Sequence, residues 1–229
     1  MNLKRGGVIN QMGYKGAIFD MDGLLFDTEL IYQQTWKEIA NERGTELDDS
    51  FSKAISGTNG EYMCHVIETY YNVWDGTAIM KDCIRRVKEK LSVHVPIKKG
   101  VYEILEFFQK RGFRMVVASS SSIEQIKSNL KTAGIGEYFY DIVSGTEVRC
   151  GKPAPDIFLC AAERIGCEPN ECFVFEDSEN GIKAGYAAGC STIMIPDLIE
   201  PFPGIVPYCT KICSNLLQAE KEIREIITE

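Results

Sequence analysis

Apolar residues along the chain fall into two patterns, short unbroken runs and longer stretches with helical spacing. Five runs read as buried strands: Gly16 to Asp20, Arg114 to Ala118, Tyr140 to Ser144, Cys172 to Phe175 and Thr192 to Ile195. Val101, Ile104, Leu105 and Phe108 recur at helical spacing before the second run. Ile123, Ile126 and Leu130 do so after it and stop at Gly134. Ile157, Phe158, Ala161, Ala162 and Ile165 repeat the pattern ahead of Gly166. Strands alternating with helices predict an α/β fold with a doubly wound parallel sheet, in which ligands bind beyond the carboxyl ends of the strands.

The alternation breaks after the first run. Thr28 to Pro96 carries helical periodicity and no strand pattern, which predicts an inserted α-helical domain over residues 28–95, with 1–27 and 96–229 forming the core. Its helices are expected at Thr28 to Arg43, Asp48 to Ser56, Glu61 to Tyr71 and Thr77 to Leu91, divided by Gly44, Gly57 to Gly60 and Gly76. An insertion leaving straight after the first strand is expected to act as a lid over the strand ends, excluding water and choosing substrates. Pro201, Pro203 and Pro207 mark a surface loop before a last amphipathic helix through Leu216, Leu217, Ile223 and Ile227.

Composition narrows the partners. The formal charge of -8 over 229 residues argues against nucleic acid, which needs a basic face. Arg85, Arg86, Lys88, Lys90, Lys98 and Lys99 do gather; they read as a solvated helix face, with steering of an anionic substrate as the alternative. Nine cysteines without a Cys-x-x-Cys pair read as reduced thiols and predict a cytoplasmic protein. Met1 to Gly13 reads as a loose leader without a secretory apolar stretch, and no later segment approaches the roughly 20 apolar residues of a membrane span. His65 and His94 read as packing or surface residues.

Four polar motifs stand at strand ends. Asp20-Met21-Asp22-Gly23 follows the first strand: one carboxylate can attack phosphorus while the other protonates the leaving oxygen, and a turn or cap is the plainer alternative. Ser119-Ser120-Ser121-Ser122 follows the second, offering hydroxyls and N–H groups to a phosphoryl oxygen. Ser119 is assigned to phosphate, and Ser121 or Ser122 to a helix cap. Lys152, between Gly151 and Pro153-Ala154-Pro155, reads as a rigidly placed cation. Glu176-Asp177-Ser178 follows the fourth strand, where carboxylates gathered beside Asp20 would require a cation such as Mg²⁺, with Ser178 as a cap.

Taken in order, Asp20-Met-Asp22-Gly, Ser119, Lys152 and Glu176-Asp177 resemble the four motifs of the haloacid dehalogenase superfamily, over Lys15 to Pro196. The Gly-Lys-Pro-x-Pro-Asp and Glu-Asp-Ser-x-x-Gly forms look like its subgroup of β-phosphoglucomutase and small-metabolite phosphatases, whose helical cap lies between the first two motifs. The resemblance implies that Asp20 is the nucleophile and a Mg²⁺ ligand, and that Asp22 is general acid and base with its carbonyl on the metal. Ser119 and Lys152, with Ser120 beside them, would hold the phosphoryl group, Asp177 would complete the metal site, and Glu176 would support it directly or through water.

Asp22 argues for phosphate esters rather than carbon–halogen bonds, since an alkoxide leaving group needs a proton. The histidine and arginine of the mutase cap have no counterpart at Tyr32 and Thr58-Asn59-Gly60, which favours hydrolysis over a mutase. The expected activity is a phosphatase acting on a small phosphorylated metabolite, a sugar or polyol phosphate, as a monomer or homodimer. Tyr32, Trp36, Thr58, Asn59 and Glu61 are expected on the substrate side of the lid, with cap core as the alternative for Tyr32 and Trp36. A receiver-like protein controlled by a phospho-aspartate is the non-enzymatic alternative.

Overall fold

Six parallel strands make the sheet: β1 Gly16–Phe19, β2 Arg114–Ser119, β3 Asp141–Ser144, β4 Cys172–Glu176, β5 Ser191–Met194 and β6 Lys211–Ile212. They lie in the order β3-β2-β1-β4-β5-β6. The computed structural model describes residues 13–55, 58, 60–197 and 201–228, so all but the last residue of the expected leader lies outside it. The first five strands answer to the five apolar runs. The sixth was not expected, because its two residues are exposed and leave no apolar run.

Helices α1 Thr28–Glu42, α2 Asp49–Ile55, α3 Gly60–Tyr71 and α4 Thr77–Val93 make up the insertion, and α5 Val101–Lys110, α6 Ile123–Thr132, α7 Asp156–Arg164, α8 Glu179–Ala188 and α9 Leu216–Thr228 accompany the sheet. Two units result, Met1–Phe26 with Ile97–Glu229, and Asp27–Pro96.

Strand alternation divides the sheet unit's core into two faces. On one, Ile18, Val116 and Val174 pack with Ile157, Phe158, Ala161 and Ile165 of α7 and Ala184 and Ala188 of α8. On the other, Phe19 stacks on Phe175 at 4.6 Å, and Phe108 of α5 meets both rings. Strands β2 and β3 extend one way from β1, and β4 to β6 the other, so the order reverses between β1 and β4. The register sets Phe19 beside Val117 and Phe175, which brings the ends of β1, β2 and β4 to one edge.

The insertion has a core of its own. The Trp36 ring packs edge-on against Phe51 and Tyr71, and the Tyr71 hydroxyl donates to the Trp36 carbonyl at 2.8 Å. Asp48 caps α2, accepting the N–H groups of Ser50 and Phe51 at 2.9 and 3.3 Å. Three members of the basic cluster are ion-paired on α4, Arg85 with Asp82 and Glu89, Arg86 with Glu42 and Asp82, and Lys90 with Glu38, while Lys98 and Lys99 lie beyond the helix. Among the described residues no helix is long and apolar enough to cross a membrane.

Candidate active site

Asp20 follows β1 directly. Its N–H donates to the Phe175 carbonyl at 3.0 Å, prolonging the pairing with β4, and the residue is 7% exposed. Buried Met21, Leu24, Leu25 and Phe26 anchor the turn that comes next, with the N–H groups of Leu25 and Phe26 donating to the Met21 carbonyl at 3.0 and 3.1 Å. Gly23 has φ +84°, and a Cβ there would stand 2.3 Å from Asp177 Oδ2. Both the backbone and the neighbouring carboxylate therefore demand glycine.

Lys152 ties two strand ends together. Its Nζ donates to Asp20 Oδ1, to Glu176 Oε1 at 2.5 Å and to the Ala118 carbonyl at 3.2 Å, and lies 5.1 Å from the centre of the Phe158 ring. The Lys152–Pro153 peptide is cis. Burial works against the ammonium, but Asp20 and Glu176 outweigh it and raise Lys152 above the usual lysine range. Asp20 is pushed up to about 7, first by burial, with Glu176 and Asp22 repelling its charge against the pull of Lys152. These shifts oppose one another within one ion pair, the lysine's favouring the charged pair and the aspartate's the neutral acid. Direct contact and a second carboxylate on the same ammonium make the charged pair the state of the site; the aspartate's shift reflects first its burial and then the carboxylates beside it.

Glu176, 1% exposed, uses both oxygens. Oε1 takes Lys152, and Oε2 accepts the N–H and hydroxyl of Ser178 at 3.0 and 2.9 Å. The Ser178 hydroxyl in turn accepts the Gly181 N–H at 3.1 Å, capping α8. A Cβ on Gly181 would stand 1.9 Å from the Glu176 carboxyl, so the first turn of α8 rests on that group.

Asp177 is raised well above the usual carboxylate range by burial and by repulsion from Glu176 and Asp20. Three crowded carboxylates thus face one ammonium, a hard-oxygen set with surplus negative charge that fits a divalent cation. Among the described residues no group of three His, Cys, Asp or Glu side chains is placed to hold a metal ion by itself. Mg²⁺ asks for less than such a group, one or two carboxylates beside waters and a phosphate.

At the end of β2, Ser119 is 2% exposed and its hydroxyl accepts the Ser121 N–H at 3.1 Å, while Ser120 is exposed. Ser122 is the cap of α6, accepting the Gln125 N–H at 3.3 Å. Ser121 does something the sequence did not suggest: its hydroxyl donates to Asp22 Oδ2 at 2.8 Å. Its carbonyl accepts the hydroxyl of buried Ser144, at the end of β3, at 2.6 Å. Neither contact has a local signal, since residues 22, 121 and 144 meet only through strand pairing.

The expected substrate-side residues of the insertion divide. Tyr32, Trp36 and Thr58 share a cavity of about 240 Å³ with Glu29, Ile55, Met63 and Ile84. Trp36 is also core, at 2% exposed. Glu61 is exposed and not in this lining, and Asn59 lies outside the described residues. His65 and His94 are exposed.

Residues 17–195 match the family model of the haloacid dehalogenase-like hydrolases. Over 180 residues, 78% of this chain and 83% of the relative, the chain is 29% identical to a phosphorylated carbohydrates phosphatase of Thermotoga maritima. It is 32% identical to a fructose-1-phosphate phosphatase of Escherichia coli K12, covering 79% of this chain and 95% of that one. Its fold is similar to that of a HAD family hydrolase of Deinococcus radiodurans R1 solved with phosphate and sodium, with a TM-score of 0.77 at 24% identity over 93% and 95% of the two chains.

Proposed function

Because the chain belongs to the haloacid dehalogenase-like hydrolase family, we propose that it is a Mg²⁺-dependent phosphatase of a small phosphorylated metabolite, a sugar or polyol phosphate, working through Asp20. The observation that carries this reading is the buried Lys152 bridging Asp20 and Glu176, with Asp22 hydrogen-bonded to Ser121 at the same sheet edge.

An Asp20 carboxylate oxygen attacks phosphorus, and the bond from phosphorus to the ester oxygen breaks. Asp22 gives its proton to that oxygen, so the alcohol leaves neutral. Asp22, now a carboxylate, takes a proton from water as the water attacks the aspartyl-phosphate; inorganic phosphate departs and Asp20 is restored. Ser121 holds Asp22 in place through both steps. Ser119, Ser120 and Lys152 bind the phosphoryl oxygens, and the Lys152 ammonium offsets the charge that gathers as Asp20 approaches. Mg²⁺, held by Asp20, Asp177 and the Asp22 carbonyl with Glu176 in support, would supply further charge neutralisation when bound. The names of the phosphatase relatives support the phosphate ester as substrate. The inserted unit is assigned the choice of the organic part.

The test is phosphate release from a panel of phosphorylated sugars, polyols and nucleotides with and without Mg²⁺, Asp20→Asn serving as blank. Release that needs both Mg²⁺ and Asp20 is expected. Glucose 6-phosphate formed from β-glucose 1-phosphate without phosphate release would mean a mutase.

A further inference from the structure

Resting on the phosphatase reading, we propose that Ser144, at the end of β3, is a positioning residue for the general acid: it fixes Ser121, and Ser121 aims Asp22. All three belong to the sheet unit. Ser119 of β2 lies beside Ser144 of β3, so the chain leaves the sheet in step at both positions and Ser120-Ser121-Ser122 runs next to Gly145-Thr146-Glu147. Gly145 lets the two segments touch: a Cβ there would stand 3.1 Å from Ser120 Cα and 3.5 Å from its carbonyl oxygen. Its φ lies outside the left-handed region, so glycine serves the close approach and not the backbone.

The buried Ser144 hydroxyl has one arrangement open to it. A hydroxyl offers a single proton and two lone pairs. The Ser121 carbonyl, 2.6 Å away, can only accept, so the proton goes there. The Thr146 N–H at 3.2 Å and the Thr146 hydroxyl at 2.8 Å then donate to the lone pairs. The Ser144 N–H is taken by Glu147 Oε2 at 2.9 Å, and Arg164 holds the other oxygen of that carboxylate at 2.7 Å.

Ser121 is held in turn by both of its peptide groups. Its N–H donates to the Ser119 hydroxyl at 3.1 Å and its carbonyl takes the Ser144 proton, which leaves χ1 to place the hydroxyl that donates to Asp22 Oδ2 at 2.8 Å. Without the Ser144 hydroxyl that carbonyl loses its anchor, and the Ser121 side chain loses its aim. The consequence falls on proton transfer. Asp22 protonates the departing oxygen, and esters differ in their need of that proton: an alkoxide requires it, whereas 4-nitrophenolate and acetate leave without it.

The experiment measures kcat/KM for the best alkyl phosphate of the panel against 4-nitrophenyl phosphate and acetyl phosphate. The proteins are the full chain, Ser144→Ala, Ser121→Ala, the double variant, and Asp22→Asn, which sets the ratio at full loss of the acid. Ser144→Ala is expected to lower the ratio of alkyl to activated substrate by about twofold to tenfold, the range of one neutral hydrogen bond. Once Ser121 is alanine it should lower the ratio no further. Should Ser144→Ala not fold, Gly145→Ala, which presses on the Ser120 backbone, decides by the same ratio. An unchanged ratio, an equal fall on all substrates, or a full further fall in the double variant would overturn the inference and leave the phosphatase reading standing. So would an unchanged ratio in Asp22→Asn, which removes the acid that Ser144 serves. Absence of Asp20-dependent release from every phosphate ester would overturn the phosphatase reading itself, and the inference with it.

Discussion

The Ser121 hydroxyl donates to a carboxylate at 2.8 Å, and a hydrogen bond to a charged group contributes roughly 1.5–3 kcal/mol. If that bond aims Asp22, Ser121→Ala lowers kcat for phosphate release by about tenfold to a hundredfold with KM little changed, and Ser121→Thr keeps most of the rate. Steady-state kinetics on the best panel substrate checks this, and an unchanged kcat in the alanine variant removes the role. Lys152→Met tests the neighbouring pair. It leaves Asp20 and Glu176 buried without their shared cation, so we expect loss of activity together with destabilisation of about 3–5 kcal/mol in urea unfolding.

At the scale of elements, α8 and β4 pose a question of sign. Alanine in a helix is favoured over glycine by roughly 0.5–1 kcal/mol, so propensity alone predicts that Gly181→Ala stabilises the protein. The Cβ would, however, stand 1.9 Å from the Glu176 carboxyl, and overpacking costs about 1–3 kcal/mol. Close approach wins. Gly181→Ala should lower the thermal midpoint and, by displacing Glu176 from Lys152, the activity; a raised midpoint would show that α8 can move off the carboxyl. The same contact explains how a helix terminus, not the strand itself, fixes the orientation of the last residue of β4.

Across the whole molecule, nine free cysteines are spread through both units, and their environments differ. Burial pushes the thiols of Cys83 and Cys190 up to about 12 and that of Cys213 up to about 11. Raised folded-state values favour the protonated thiol. Their contribution to stability is complete below the ordinary thiol pKa of about 8.5 and is lost as pH climbs towards 11–12. A thermal midpoint that falls progressively above pH 9 is the expected outcome. Alkylation followed by mass spectrometry at pH 8 should label exposed Cys150 first and Cys83, Cys172, Cys190 and Cys213 only on unfolding. Magnesium should raise the midpoint through binding to the folded state, and Asp177→Asn should shrink that rise; equal rises in both proteins would exclude Asp177 from the metal site.

Five strands and the helices between them were legible because buried strands and amphipathic helices write their period into neighbouring residues, as Ala17 to Phe19 and Val101 to Phe108 do. Asp20, Ser119 and Glu176 were legible as candidates for a related reason: polar residues at the end of an apolar run, repeated at successive strand ends, are costly unless something uses them, while Lys152 stood out through the two prolines that follow it. Strand β6 was not legible, since two exposed residues pair only because β5 offers a free edge. Nor was the work of Ser121 and Ser144, or the sharing of one lysine between Asp20 and Glu176. Those contacts join residues far apart in sequence, and the register of β1 against β2 and β4, with that of β2 against β3, brings them within hydrogen-bonding distance.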